Sequence, residues 1–272
     1  MISLKSLINS NIFSPTEKLI LKTYFSLREK IDLFLAEKNP SSFNPYGEIS
    51  RSFDKRVSEW LIKTLRESGF KGNIITEEKI DVTGEEVTIF IDPIDGSLNA
   101  ARGIPIYGMT MGFSQGEKHE VFTFGLVWLI PEDRIIMGNM KRTLKITNGN
   151  QLFEIESLTV KNDPDTVIET GDTTGEVLRE IREHYSIRHF GSIAYSFTKM
   201  IEGAIDGIFD NSGKLKMTDV AGFIPILNRL KVPYKIVKIE EVGGSRDNMY
   251  NPRVKLVTST KKEVFQVLSR LL

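Results

Sequence analysis

The chain has no cysteine, only three histidines among its 272 residues, and no surplus of either charge: 36 Lys+Arg face 36 Asp+Glu. Without thiols there is no disulfide framework, no thiolate zinc or iron–sulfur site and no cysteine nucleophile. The histidines, at 119, 184 and 189, leave little room for a histidine-rich metal site and read as surface or packing residues. Balanced charge argues against a dedicated nucleic-acid binder, which carries a basic excess. Long apolar runs are missing as well. The longest, Phe124 to Pro131, falls far short of the ~18 residues that suggest a membrane span. The opening stretch, MISLKSLINSNIF, holds one Lys and breaks its apolar pairs with polar residues, so no secretory core is expected and the cytoplasm is the default.

What remains is an ordinary globular composition, 40% hydrophobic and 26% charged. At ~150 residues per domain the length suggests one large or two modest domains. A chain of this size buries roughly 73% of its extended surface, enough for a core without staples.

Two helices are predicted first. Ser14-Pro15-Thr16-Glu17 is a start signal, followed by Ile20, Tyr24, Leu27, Ile31 and Phe34 at steps of four and three. A second helix carries Phe53, Val57, Trp60, Leu61 and Leu65 on one face and stops at Gly69. The Pro/Ser/Asn-rich stretch Asn39 to Gly47 reads as a loop. From Asn73 the texture is β, with runs at Ile74-Ile75, Val87 to Ile91, Tyr107 to Phe113, Val121 to Leu129 and Arg134 to Met140. This half reads as two helices against a largely antiparallel sheet. After Asn148-Gly149-Asn150, strand and helix patterns alternate: strands near Val167, His189 and Ile205 to Phe209, and helices near Glu176 to His184, Ile193 to Ile201 and Val220 to Leu230. Two further strands and a last helix, Glu263 to Leu271, follow. The alternation predicts a division near residue 150 into an N-terminal α+β domain (1–150) and a C-terminal α/β domain (151–272).

The informative stretch is Phe90-Ile91-Asp92-Pro93-Ile94-Asp95-Gly96-Ser97. An apolar strand delivers two carboxylates three residues apart. The strand is expected to place Asp92 at a sheet end, and Pro93 biases it toward extended geometry. Asp95-Gly96 then turns the chain and exposes the N–H groups of Gly96 and Ser97. Carboxylates beside free N–H donors suit a Mg²⁺–phosphate pair. A plain β-turn is the ordinary alternative, since Asp, Pro and Gly are turn residues. Glu77-Glu78 close another short strand, and Asp219 opens an apolar helix, where Asp also serves as a simple N-cap. Together these acids form a hard-oxygen set without His or Cys, which suits Mg²⁺ or Mn²⁺ over Zn²⁺.

In this order the motifs resemble those of the inositol monophosphatase superfamily, most closely its archaeal branch that also acts on fructose 1,6-bisphosphate. The segments that match are Phe53-Asp54-Lys55, Ile75-Thr76-Glu77-Glu78, Asp92 to Ser97, Phe190 to Ala194, Glu202 to Gly207 and Asp219-Val220-Ala221-Gly222. The resemblance implies a layered αβαβα sandwich, mixed α+β and α/β, and a Mg²⁺-dependent phosphomonoesterase with two or three ions. Glu77, Asp92 and the Ile94 carbonyl would hold the first ion; Asp92, Asp95 and Asp219 the second; Glu77 reaches toward a weaker third. Asp54 and Ser97 would orient the attacking water, with Glu77 supporting catalysis. Gly96 and Ser97 would bind phosphate, and Gly191, Ser192 and Asp210 would face the polyol. Thr218 stands where the family usually has Trp, Ser97 where it has Thr, and Asn99-Ala100 where Asn-Phe is common. The stretch Asn211-Ser212-Gly213-Lys214-Leu215-Lys216 reads as a flexible turn: an exposed loop with solvated lysines or, folded over the pocket, one whose Lys214 or Lys216 would meet a second phosphate. A homodimer acting on a small phosphate ester is implied, with no nucleic acid or membrane involved. The alternatives are a 3′-phosphoadenosine 5′-phosphate phosphatase and a regulatory binding protein on the same fold.

Overall fold

The computed structural model describes residues 11–36, 42–43, 49–116, 121–147, 151–158, 160, 165–239 and 249–272. His119, Asn148-Gly149-Asn150 and most of the expected 39–47 loop lie outside the described residues. Within that loop Ser42–Phe43 is instead a short strand, paired antiparallel with Ile49–Ser50.

The first helix, Pro15–Arg28, opens with the expected capping box. Ser14 Oγ accepts from the Glu17 N–H, and the Glu17 carboxylate accepts from the Ser14 N–H. The chain then breaks at Glu29-Lys30, so Ile31 and Phe34 belong to a separate short helix, Ile31–Leu35. The helix Ser52–Glu67 buries Phe53, Val57, Leu61 and Leu65, and with them Asp54 and Ser58. Polar groups on a buried face are the first sign that this helix does more than pack.

An eight-stranded sheet follows, in the spatial order Gln151–Glu154, Thr143–Thr147, Arg134–Asn139, Val121–Leu129, Gly108–Gln115, Val87–Asp95, Asn73–Thr76, Ile80–Asp81. Asn73–Thr76 runs parallel to Val87–Asp95; the remaining pairs are antiparallel. A five-stranded sheet is built from later chain, in the order Ser186–Arg188, Val167–Glu169, Gly207–Lys216, Arg253–Ser259, Tyr234–Lys238. Val167–Glu169 pairs parallel with both of its neighbours.

Period-two alternation sorts the central strands between two cores. Ile74, Ile89 and Ile91 pack with Leu21, Tyr24, Val57 and Leu61 of the first helices. Ile75 and Phe90 face the other way, toward Ala194, Phe197, Val220 and Ile226. Those residues belong to the helices Ile193–Ile201, Met217–Val220 and Ile224–Leu230, which are also covered by Ile208, Val254 and Leu256 of the second sheet. A third core joins Ile168, Phe209 and Val257 to Ile181, Val264 and Leu268 of the outer helices Gly175–His184 and Lys262–Leu271. The order is therefore helix, sheet, helix, sheet, helix. The middle helices touch both sheets, with Phe197 stacked on Phe223 at 4.2 Å, and any group on them sits between the layers.

Several sequence expectations shift. The strand through Asp92 does not end there: it runs to Asp95, with a bulge between Asp92, opposite Thr110, and Asp95, opposite Gly108. The expected Val220–Leu230 helix is two pieces broken around Gly222. The strand expected at His189 is Ser186–Arg188. Asn211 to Lys216 is not a flexible turn but the far half of the strand Gly207–Lys216, irregular between Asp210 and Leu215 and passing through a left-handed Gly213.

Candidate active site

The bulge at Asp92–Asp95 is the local device from which the site grows. An extra residue in one strand re-aims its side chains and ends regular pairing. Asp92 Oδ1 accepts from the Ile94 N–H at 3.1 Å, which holds the carboxylate over the bulge while the Ile94 side chain stays in the core. Gly96 follows with φ of +81°, and a Cβ there would come within 3.0 Å of the Gly191 and Ile106 carbonyls and nearer to Ser192. Only glycine meets both demands. The short helix Ser97–Ala101 starts directly after it, so Ser97 lies at the first helical position. Asn99 pins this helix to the C-terminal half, its Nδ2 donating to the carbonyls of Ile106 and Phe190, both at 2.8 Å.

Asp95 turns toward the helix Ile193–Ile201. Its Oδ2 accepts from the Ser192 hydroxyl and, at 2.7 Å, from the Ala194 N–H. A carboxylate at a helix N-terminus meets unpaired N–H groups and a favourable dipole. Ser192 is also that helix's cap, since its Oγ accepts from the Tyr195 N–H. Its hydroxyl is thus engaged within the protein, although the sequence reading turned it to substrate. Gly191, beside it, is exposed with φ of +69°.

Glu77 and Asp219 complete the group, one from the end of a strand of the first sheet and the other from the middle helical layer. The Glu77 N–H donates to the Ile91 carbonyl, which extends the parallel pairing one residue past Thr76 and brings Glu77 alongside Asp92. Asp219 stands on the helix Met217–Val220, with both oxygens held: Oδ2 by the Lys216 N–H at 2.7 Å and Oδ1 by the Thr218 hydroxyl at 3.2 Å. Asn251, fully buried, accepts from the Thr218 N–H and donates to the Thr218 hydroxyl. The Thr218 carbonyl accepts from Thr110 on the first sheet at 2.6 Å. This helix lies close on the sheet because Gly112 leaves room for Ala221. Asp54 approaches from the opposite layer, buried, with Oδ2 on the Arg51 N–H and no donor for Oδ1 among the described residues.

The electrostatics follow from this crowding. Asp92 is raised well above the usual carboxylate range by burial, then by Glu77, Asp95, Asp219 and Asp54. Asp219 is pushed up to about 8 by burial and Glu77, against the lowering effect of Lys216. Asp54 is pushed up to about 8 by burial and by Glu77 and Glu78. Asp95 rises only to about 6, because Ser192 and two backbone N–H groups stabilise its charged form. Such a cluster of hard oxygen donors with excess negative charge and an orphaned buried oxygen fits a divalent cation. As the side chains stand, however, no three acids or histidines among the described residues converge closely enough to hold one. Asp92 Oδ1, Asp95 Oδ2 and both Asp219 oxygens are engaged by protein donors, while Asp54 Oδ1 is not.

With that geometry in hand, the comparisons with known proteins are decisive. The inositol monophosphatase family profile matches residues 19–229. The chain belongs to the inositol monophosphatase family. It is 28% identical over 209 residues to a fructose-1,6-bisphosphatase/inositol-1-monophosphatase of Thermococcus kodakarensis, covering 75% of this chain and 77% of that protein. It is 25% identical to the protein of the same name from Methanocaldococcus jannaschii, over 97% and 98% of the two lengths. It is also 28% identical to inositol monophosphatase 1 of Bos taurus, over 65% and 66%. Among solved structures, an inositol monophosphatase–fructose 1,6-bisphosphatase superposes with a TM-score of 0.74 at 20% identity, covering 96% of this chain and all of that one. An IMPase/NADP phosphatase complexed with Mg²⁺ and phosphate gives 0.73 at 16% identity, covering 93% and 94%. The layered fold is shared.

Set within this family, the remaining site residues fall into two groups. Asp210 is buried, its Oδ1 accepting from the Ser212 N–H and hydroxyl and its Oδ2 from the Asp172 N–H. Lys214 is exposed and pairs with Asp172 at 2.9 Å. Lys216 is apart from it, 2% exposed, with Nζ 2.9 Å from Glu77 Oε1. Glu169 escaped the sequence reading: buried at the end of its strand, it is pushed up to about 8 by burial, against the N–H groups of Gly171 and Phe190. His189, read as a surface or packing residue, is exposed, with its ring nitrogens 3.8 Å from Glu169 and from Asp172.

Proposed function

We propose that this member of the inositol monophosphatase family is a Mg²⁺-dependent phosphomonoesterase, acting on inositol monophosphate, fructose 1,6-bisphosphate or both. The observation that carries the reading is that Asp92 is buried and raised by the charges of Glu77, Asp95, Asp219 and Asp54, carboxylates that three layers bring around it. Glu77, Asp92 and the Ile94 carbonyl would hold one ion, and Asp92, Asp95 and Asp219 a second. Glu77 would lean toward a third, and Mn²⁺ would serve as a substitute. When bound, such ions supply charge to the phosphoryl oxygens and make water acidic near neutral pH.

The chain's own groups do the rest. The Gly96 and Ser97 N–H groups, at the start of the Ser97–Ala101 helix, would bind phosphoryl oxygens. Asp54, whose Oδ1 meets no donor among the described residues, would accept a hydrogen from the attacking water, with the Ser97 hydroxyl fixing its direction. Gly191 and Asp210 would face the polyol, with Ser192 acting through Asp95. Of the two lysines, Lys214, exposed and paired with Asp172, would meet a second phosphate. The family resemblance extends the reading to a cytoplasmic homodimer, which analytical ultracentrifugation checks. Among the described residues no helix is long and apolar enough to cross a membrane.

A second reading gains one observation. A pocket of about 280 Å³ lined by Phe90, Phe122, Tyr234, Tyr250 and Lys238 opens beside Met217, which begins the helix carrying Asp219. Aromatic walls with a cation are what the nucleotide of a 3′-phosphoadenosine 5′-phosphate phosphatase would require. Turnover of inositol 1-phosphate, fructose 1,6-bisphosphate and 3′-phosphoadenosine 5′-phosphate, each with and without Mg²⁺, separates the two. Release of phosphate from none of them under Mg²⁺ overturns the enzymatic reading and leaves the regulatory one.

A further inference from the structure

Lysine is almost never fully buried unless it is paired, and Lys216 is buried inside the acid cluster. It ends the strand Gly207–Lys216 of the second sheet, while Glu77 follows the strand Asn73–Thr76 of the first. The 2.9 Å contact between Nζ and Glu77 Oε1 therefore bridges the layers. The same residue's N–H donates to Asp219 Oδ2 at 2.7 Å. One residue thus restrains two acids that the functional reading assigns to metal.

We infer that Lys216 is the chain's own cation at this site, holding Glu77 until a divalent ion displaces it, so that it competes with the ion and sets the affinity. The inference rests on the metal-dependent reading above. Its physical basis is that a buried ammonium needs a counter-charge. Lys216, 2% exposed, has one in Glu77, itself 27% exposed, while Asp95 and Asp219 are held by neutral donors. An ion that takes Glu77 as ligand must break that pair, and the cost of breaking it is subtracted from the binding affinity. This also explains why no three acids converge as they stand: Glu77 is turned to the lysine. Lys216 is a positioning residue, since its contacts are with the acids.

The test is a calorimetric Mn²⁺ titration of the EDTA-treated full chain and of Lys216→Met, Lys216→Gln and Lys216→Arg, with circular dichroism as the check on folding. The neutral variants should bind Mn²⁺ more tightly, by about ten-fold or more. They should also melt at lower temperature in EDTA and gain more in melting temperature on adding Mn²⁺. Lys216→Arg, which keeps the charge, should stay within about three-fold of wild type. Lys216→Gln keeps a polar contact to Glu77 and serves if the Met variant does not fold. Equal or weaker Mn²⁺ binding by the folded neutral variants overturns the inference and leaves the phosphatase reading in place. Tighter binding without turnover of any phosphate ester does the reverse. No Mn²⁺ binding by any of the proteins overturns both.

Discussion

Thr218 engages each of its polar groups around Asp219. Its hydroxyl donates to Asp219, its N–H and hydroxyl meet Asn251, and its carbonyl accepts from Thr110. Thr218→Val keeps the shape and removes the hydroxyl, leaving the buried Asn251 Nδ2 without that acceptor. A stranded buried polar group costs about 1–3 kcal/mol. Urea denaturation in EDTA should show a loss of that size; an unchanged midpoint would mean that Asn251 finds another partner. Asp95→Asn tests the chemistry at the same scale. It removes one charge from a crowded group while one oxygen remains to accept from Ser192 and Ala194. The fold should survive, and kcat should fall by about 10²-fold or more, the scale expected when a charge that positions ions is deleted. Near-normal Mg²⁺-dependent turnover would remove Asp95 from the site. Glu77, Asp95 and Asp219 were legible in the sequence because each closes or opens an element, and Asp92 because it lies three residues before Asp95 in one motif. Glu169, Asn251 and Lys216's pairing were not, since their partners lie in other strands and helices.

Between elements, the middle helices approach the first sheet through glycine. A Cβ on Gly125 would lie 2.0 Å from the Gly222 carbonyl, and one on Gly112 would lie 2.5 Å from Ala221. Gly125→Ala should force the Met217–Val220 and Ile224–Leu230 segment outward, with an overpacking cost of about 1–3 kcal/mol. Because Asp219 rides on that segment, Mn²⁺ affinity should fall with stability, which parallel melting and titration experiments would detect. Lost stability with unchanged affinity would show that Asp219 is held by its own contacts instead. The same close approach explains a miss. Val220 to Leu230 reads as one helix by apolar spacing, but Gly222 is pressed against the Leu126 and Met111 backbone and the helix breaks there. Asn-Ser-Gly-Lys at 211–214 reads as a turn by composition, yet pairing resumes at Leu215–Val254 and the segment remains strand. The helix expected near Ile193 to Ile201 is found at Ile193–Ile201.

Across the whole molecule, the chain passes from one sheet to the other between Glu154 and Val167. We propose the division near residue 150 as two units that share the middle helical layer. The site collects carboxylates from both, and their shifts add to a pH dependence of folding. In the unfolded chain these groups lose their protons near the ordinary 3.8 for Asp and 4.5 for Glu. In the folded chain Asp95 holds its proton to about 6, and Asp54, Asp219 and Glu169 to about 8. The folded state therefore binds more protons across this window, and its stability must fall as pH rises through it. These shifts span the interval from pH 5 to 8. In EDTA the melting temperature should decline over that interval. In saturating Mg²⁺ the decline should shrink or reverse, because the ion binds the deprotonated acids and favours them in the folded state. Asp219→Asn, which cannot ionise, should flatten the EDTA profile relative to wild type. A melting temperature in EDTA that climbs from pH 5 to 8, or a profile that Asp219→Asn leaves unchanged, would mean that the acids are neutralised by groups other than a metal ion.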